Sequence, residues 1–246
     1  MGMQERWQRA REIAREFGPM TVPRLVGHRL LNLLIRFDVL IVVVLDREQV
    51  TCPETPDESQ LRFEVWRAAE FPRLLDQIDP EIGGRYQLST FADDALPDDV
   101  LLVVRVDSEI AGFTFAHLGG YPTLAPGVCL RAPEGYVYNY SAFTHPEYRG
   151  RKHQGRRHYE LLNRPECGNC KGLIGYVYYT NLESRRGLPK SGYRPIGHLF
   201  HARLGHFGLV WCGWKLLWRG VRLEKGRILS VGRIPDSRQT TIPPPA

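Results

Sequence analysis

The sequence predicts an α/β fold, with antiparallel hairpins early in the chain and a strand–helix–strand unit in the middle. Three observations carry this. Val100–Val106 and Ile110–His117 are two apolar runs joined by Asp107-Ser108-Glu109, the pattern of a hairpin. Tyr136–Thr144 is an aromatic-rich extended run, followed by a basic stretch of helical spacing at Gly150–Asn163 and an apolar run at Leu173–Thr180. Finally, 246 residues with 43% hydrophobic side chains suffice for a real core, which excludes disorder throughout, a collagen-like repeat or a disulfide-stapled module.

The remaining elements follow in order. Met3–Phe17 reads as an amphipathic helix with basic residues on its polar side, and Leu30–Ile35 continues that helical character. After Asp38 the Val- and Ile-rich run to Leu45 favours a buried strand. Residues 50–60 combine turn formers and acids without periodicity, so they read as a linker. Leu61–Trp66 alternates like a strand, and Ala69–Ile78 has helical spacing with Pro72 in its first turn. Residues 79–100 are acidic and irregular, with room for one short helix. Asn181–Lys190 is a short segment after the second central strand. His198–Arg203 and Phe207–Leu217 read as two last strands, and the tail after Asp236 as disordered.

Charge is unevenly spread. Residues 1–36 sum to +4, residues 37–134 to −11 and residues 135–246 to +13. A basic half beside an acidic middle points to an anionic partner: nucleic acid, membrane, phosphate cofactor or acidic protein. The first 17 residues are too charged for the apolar centre of a signal peptide. Arg36 and Asp38 cut the most apolar stretch, Leu30–Leu45, into pieces too short to span a bilayer. A basic amphipathic helix can rest on an anionic membrane, so residues 1–36 are a candidate for peripheral contact; packing on the protein itself is the simpler reading. Five cysteines, an odd and sparse set, fit a reducing cytoplasmic compartment. Cys167-x-x-Cys170 stands alone without a second pair, so no metal site is expected. Trp211, Trp214 and Trp218 with Lys215 and Arg219 read equally as a basic-aromatic surface or as packing under the N-terminal helices.

The most informative segment is Thr144-His-Pro-Glu-Tyr-Arg149-Gly150-Arg151-Lys152-His153-Gln154-Gly155, between an aromatic strand and a basic helix. Backbone N–H groups and the positive end of the helix converge there, where phosphate binds readily. Cations at that end oppose the helix dipole at about 0.3–1 kcal/mol each, a cost that an anion would offset.

His145–Arg151 in this setting resembles the acetyl-CoA motif of the GNAT superfamily of acyltransferases. A second piece agrees in order and spacing: Asn181-Leu-Glu-Ser184 followed by Lys190-Ser-Gly-Tyr193 after the next strand. The resemblance covers roughly residues 61–215. It implies a GNAT fold, a central mixed but mostly antiparallel twisted sheet splayed around an acyl-CoA site, here with an N-terminal helical extension. It implies an N-acyltransferase moving an acetyl or longer acyl group from acyl-CoA to a small-molecule amine by direct transfer. The implied cofactor contacts are Thr144, Arg149, Gly150, Arg151, Lys152, His153, Gln154, Gly155 and Asn181. The implied chemistry draws on Asn139, Tyr140, Glu134 and Ser184. Tyr136, Tyr138 and Tyr140 also read as alternating sheet packing, and His145 before Pro146 as a turn residue.

Two departures from the family pattern stand out. Lys152 and Gln154 occupy positions where the motif has small residues, which allow close backbone approach. Leu188 stands where many members place a Tyr that protonates the coenzyme A sulfur. Three readings therefore stay open: acyl-CoA as donor, an acyl carrier protein as donor with an amino acid or amino sugar as acceptor, and a non-catalytic binding module of the same fold. Seven cations, Arg149, Arg151, Lys152, Arg156, Arg157, Arg185 and Arg186, are expected around the cofactor cleft, which favours a nucleotide phosphate over a polymer or a membrane. The organisation expected is an extension and linker over 1–60, an acyltransferase domain over 61–215, and a basic extension with disordered tail over 216–246. Acceptor choice falls to the loops at 79–100 and 118–135. The sequence specifies no oligomeric state.

Overall fold

The computed structural model describes residues 3–54, 58–78, 97–118, 123–125, 128–204 and 207–225. Most of the acidic 79–100 segment, part of the 118–135 loop and the tail beyond residue 225 lie outside the described residues. In chain order the elements are α1 (Met3–Phe17), α2 (Thr21–Leu34), β1 (Arg36–Asp46), β2 (Leu61–Arg67), α3 (Phe71–Leu75), β3 (Asp99–Val106) and β4 (Glu109–His117). They continue with β5 (Thr123–Ala125), β6 (Val128–Arg131), β7 (Tyr136–Thr144), α4 (His153–Asn163) and β8 (Gly172–Tyr178). Last come α5 (Leu182–Lys190), β9 (Arg194–Leu204), β10 (Phe207–Cys212), α6 (Trp214–Trp218) and β11 (Arg222–Lys225).

Eight strands form one sheet in the order β10-β9-β1-β8-β7-β4-β3-β2, and β11-β6-β5 form a second, smaller sheet. In the large sheet every neighbouring pair is antiparallel except β7 and β8. The predicted class, a mixed and mostly antiparallel sheet with helices, is what the chain adopts. Strand β1 lies inside the large sheet, its Leu40–Leu45 run buried between β8 and β9. Two apolar faces leave a strand nowhere to go but the middle of a covered sheet.

Each face has its own core. On one, Leu161 and Leu162 of α4 pack on Val43, Leu102, Val137 and Leu173. On the other, Leu216 of α6, Leu130 of β6 and Val221 just before β11 cover Val42, Tyr138 and Ile174. Towards β2, Phe71 and Leu74 of α3 close the sheet over Leu101, Phe113 and Phe115. Pro72 starts α3 as its fixed φ allows. The expected strand Phe207–Leu217 stops at Cys212. Gly213 then turns the chain into α6, so that Leu216 meets the bare backbone of Gly197, where a Cβ would stand 2.6 Å from its Cγ.

The N-terminal helices hold on by few contacts. Thr21 ties the start of α2 to Phe17 through a 2.8 Å hydrogen bond, and Asn32 accepts from the amide of Phe37 and donates to its carbonyl. Helix α1 meets α5 through Glu16, ion-paired with Arg186, and through Phe17, whose ring lies 4.5 Å from the guanidinium of Arg185.

Candidate functional site

Strands β7 and β8 begin as a parallel pair, with Tyr136, Val137 and Tyr138 opposite Gly172, Leu173 and Ile174. There the ladder ends. From Asn139 onward β7 stays with β4, while residues 175–178 of β8 stay with β1. The two central strands therefore part into a wedge that opens toward Thr144 and Tyr178. Gly175 stands at its apex, where a Cβ would lie 2.6 Å from the carbonyl oxygen of Asn139.

Beside the wedge β7 carries a bulge. Thr144 and Phe143 pair with Gly112 and Phe113, and Tyr140 pairs with Phe115, so Ser141 and Ala142 share the single position opposite Thr114. Ser141 takes φ +46°, a left-handed conformation that is uncommon for a residue with a side chain. Such an insertion breaks the regular ladder and redirects the backbone, the device by which strands adapt at sites.

At the mouth, the chain leaves Thr144, makes a single 3-10 turn at Pro146–Tyr148 and enters α4. Gly150 has φ +80° and Lys152 φ +63°. Ordinary helical dihedrals, which would let a side chain sit easily at 152, are thus not what the loop uses. The first turn of α4 has no acid and no side-chain cap. Its amides are offered next to Arg149, Arg151 and Lys152, all exposed. His153 is buried, with its ring stacked on Tyr148. Gln154 and Gly155 lie against the other wall: the Gln154 Oε1 is 3.5 Å from where a Gly187 Cβ would be, and Gly155 faces Pro53 and Ser191. Asn181 caps α5, its Oδ1 accepting from the Ser184 amide at 3.0 Å. Thr144, residues 149–155, Asn181 and Ser184 thus all belong to the open end.

Several expected residues sit elsewhere or do other work. Glu134 sits in the turn that precedes β7, at the closed end, and is exposed. The Asn139 side chain is committed to the protein. Its Oδ1 accepts from the Thr114 hydroxyl, and its Nδ2 donates to Tyr193 Oη at 2.9 Å and meets His158 Nε2 at 3.1 Å. His158 must be neutral to accept there, and burial followed by the Arg157 charge pushes its pKa well below the ordinary value.

The cation cluster is also smaller than expected. Arg157 is fully buried, donating to the Phe143 carbonyl at 2.7 Å, and burial lowers its pKa to about 10. Arg156 pairs with Glu160 at 3.1 Å. Arg185 is wedged between Phe17 and Tyr179, and Arg186 pairs with Glu16.

One constellation escaped the sequence reading. On the face opposite α4, His117 Nδ1 and Asp99 form a close buried pair across β3 and β4. Tyr140 is also hydrogen-bonded to Asp99, and its phenol pKa rises well above 10, through burial first and then the carboxylate. The rings of Phe115, Tyr140 and Tyr138 stack in sequence at 5.4 Å spacings. Asp99 lay in a stretch read as irregular; the β3–β4 pairing, with a one-residue shift between Val104 and Arg105, sets it opposite His117. Cys167 and Cys170 are free and buried, and no metal-binding group of His, Cys, Asp and Glu occurs among the described residues.

No protein-family model and no curated protein matches the chain. Solved structures do resemble it. A GCN5-related N-acetyltransferase from Kribbella flavida is similar over 72% of this chain and 62% of its own, with 14% identity and a TM-score of 0.47. Another from Sphaerobacter thermophilus is similar over 72% of this chain and 56% of its own, with 15% identity and a TM-score of 0.45. The chain spans less than two thirds of the length of these structures. Among the described residues no helix is long and apolar enough to cross a membrane.

Proposed function

We propose that the chain is a GNAT-type N-acyltransferase that moves an acetyl or longer acyl group from acyl-CoA to a small-molecule amine by direct transfer. The observation that carries this reading is the parting of β7 from β8 beside a bulge, with an uncapped, acid-free helix start at the mouth. A wedge between strands takes an extended thioester arm along its unpaired edges. The amides of residues 150–155, with Arg149, Arg151 and Lys152, suit the phosphates at the mouth. Thr144 and Asn181 flank the same opening.

In the reaction the amine nitrogen bonds to the thioester carbonyl carbon and the carbon–sulfur bond breaks. Negative charge develops on the carbonyl oxygen, and the freed amides of the Ser141–Ala142 bulge are the donors suited to it. The incoming amine must shed a proton. We assign that role to His117, whose Nδ1 is paired with Asp99 and which stands opposite Tyr138 on β7. Tyr140 orients Asp99 as a protonated phenol. The departing thiolate takes its proton from water or the Ser184 hydroxyl, since Leu188 supplies none.

Calorimetry with coenzyme A and a thiol-release assay across an amine panel test the proposal. Binding with release of free thiol is expected. Failure to bind at millimolar coenzyme A overturns it. Binding without release over the panel leaves a binding module, and release from acyl carrier protein but not from acyl-CoA reassigns the donor.

A further inference from the structure

The ten large apolar side chains that stand exposed among the described residues are not scattered. Trp7, Met20, Val26, Leu30 and Leu33 lie in α1, α2 and the turn between them; Leu209, Trp211, Trp214, Leu217 and Trp218 lie in β10 and α6. Leu33 is 80% exposed and Trp218 85%. Val26, Leu30 and Leu33 fall at helical spacing, so α2 carries an apolar stripe on its outer side as well as contacts on its inner one. Isolated exposed hydrophobics need no explanation, but a concentration of this kind does.

The two segments meet. The Phe37 ring lies 6.2 Å from His28 of α2 and 6.2 Å from Trp211, and Trp211 stacks on Phe200 at 5.3 Å. Gly213 links Trp211 directly to α6. His198 is pushed below its ordinary pKa by burial, then by Lys215 of α6, Arg24 of α2 and Arg185 of α5, so cations from both segments act at one place. Strand β10 is the edge of the large sheet, while α2 packs on β1 and α6 on β9, the strands next in from that edge.

Charge identifies the occupant. No Asp or Glu occurs from Gly18 to Phe37 or from Leu199 to Leu223, whereas Arg24, Arg29, Lys215 and Arg219 are all exposed there. Tryptophan favours the level of lipid headgroups, and a leucine stripe favours the acyl boundary beneath it. A neutral dimer seam would not need a surface of one sign. We infer that this edge of the molecule, formed by α2, β10 and α6, docks on the surface of an anionic phospholipid bilayer. The contact therefore centres on the β10 edge and includes the C-terminal tryptophans, rather than resting on residues 1–36 alone. It is independent of the acyl-transfer reading.

The test is co-sedimentation of the full chain with vesicles of phosphatidylcholine, with and without phosphatidylglycerol, over a salt series. The chain is expected to pellet with the anionic vesicles at low salt and to leave them as salt rises. Arg24→Glu with Lys215→Glu should cut partitioning by at least about fivefold per charge removed. Leu33→Ser with Trp218→Ser, both at highly exposed positions, should cut it at least about tenfold while the circular dichroism spectrum is kept. Absence of binding to anionic vesicles overturns the inference, as does binding that neither pair of substitutions weakens. A lipid-free dimer by sedimentation equilibrium, dispersed by Leu33→Ser with Trp218→Ser, assigns the face to self-association and overturns it too.

Discussion

Replacing Gly112 with Ala tests how α4 is fastened to the bulged strand. A Cβ at 112 would stand 2.6 Å from Arg157 Nη1 and 2.6 Å from the Phe143 oxygen, the two ends of one hydrogen bond. Ordinary contact begins near 3.4 Å, so each atom must give by about 0.8 Å. Neither moves easily. Phe143 is backbone in the sheet, and the guanidinium is fully buried with no other partner at Nε or Nη2. Losing a hydrogen bond to a charged group costs about 1.5–3 kcal/mol, and overpacking adds about 1–3 kcal/mol. The expected loss, about 2.5–6 kcal/mol, is a large share of a typical domain stability of about 5–15 kcal/mol. Urea unfolding followed by tryptophan fluorescence reads it as a lower midpoint. Arg157→Met removes the obstructing nitrogen and the buried charge but leaves the Phe143 oxygen, so Gly112→Ala should cost less in that background by about the lost hydrogen bond. A loss below about 1 kcal/mol, or strict additivity of the two changes, would refute the reasoning.

Other expectations are as specific. Gly175→Ala puts a methyl against the Asn139 carbonyl at the wedge apex and should lower stability by about 1–3 kcal/mol, measured by thermal unfolding. Lys152→Gly relieves a left-handed side-chain residue and should raise stability by about 1 kcal/mol, yet weaken coenzyme A in calorimetry by losing a cation. His158 is neutral when folded because its pKa is depressed, so the unfolded chain binds the extra proton below pH about 6.5. Stability should therefore be whole above that pH and fall by up to about 1.4 kcal/mol per unit below it, and a His158→Gln variant should show a flatter urea-midpoint profile. His117→Gln should reduce turnover at least about a hundredfold with coenzyme A affinity unchanged, read by thiol release and calorimetry.

Much of the architecture was legible because local pattern and tertiary need agreed. The Val- and Ile-rich run to Leu45, the Asp107-Ser108 turn and the strand–loop–helix around Arg149 all appear where the sequence puts them. The rest depended on pairing, which periodicity does not encode. Nothing in residues 36–46 says that their neighbours are β8 and β9, more than 120 residues away. The His117–Asp99 pair needed the hairpin register, and a bulge between Val104 and Arg105 shifts that register by one residue. Counting back from the turn without the shift would set Asp98 opposite His117 and turn Asp99 to the other face. Asn139 looked like a site residue by position in its strand. Its neighbours Thr114, His158 and Tyr193 come from three other segments, and only their assembly reveals that its side chain holds the core together.

The same distinction explains the charge. Counting cations near a motif overestimates the field at the motif, because a side chain's address in sequence does not give its partner. Arg157 spends its charge on a backbone carbonyl inside the fold, Arg156 on Glu160, and Arg186 on Glu16 of the N-terminal helix. Arg185 lies between two aromatic rings. Arg149, Arg151 and Lys152 remain exposed around an uncapped helix start, and a cluster that small with converging amides suits a compact phosphate group better than a polymer. The cations of Arg24, Arg29, Lys215 and Arg219 have no such focus. They lie on two acid-free runs of the chain, residues 18–37 and 199–223, which suits an extended anionic plane. A basic chain can thus present two anion-facing surfaces of different kinds, and geometry rather than net charge separates them.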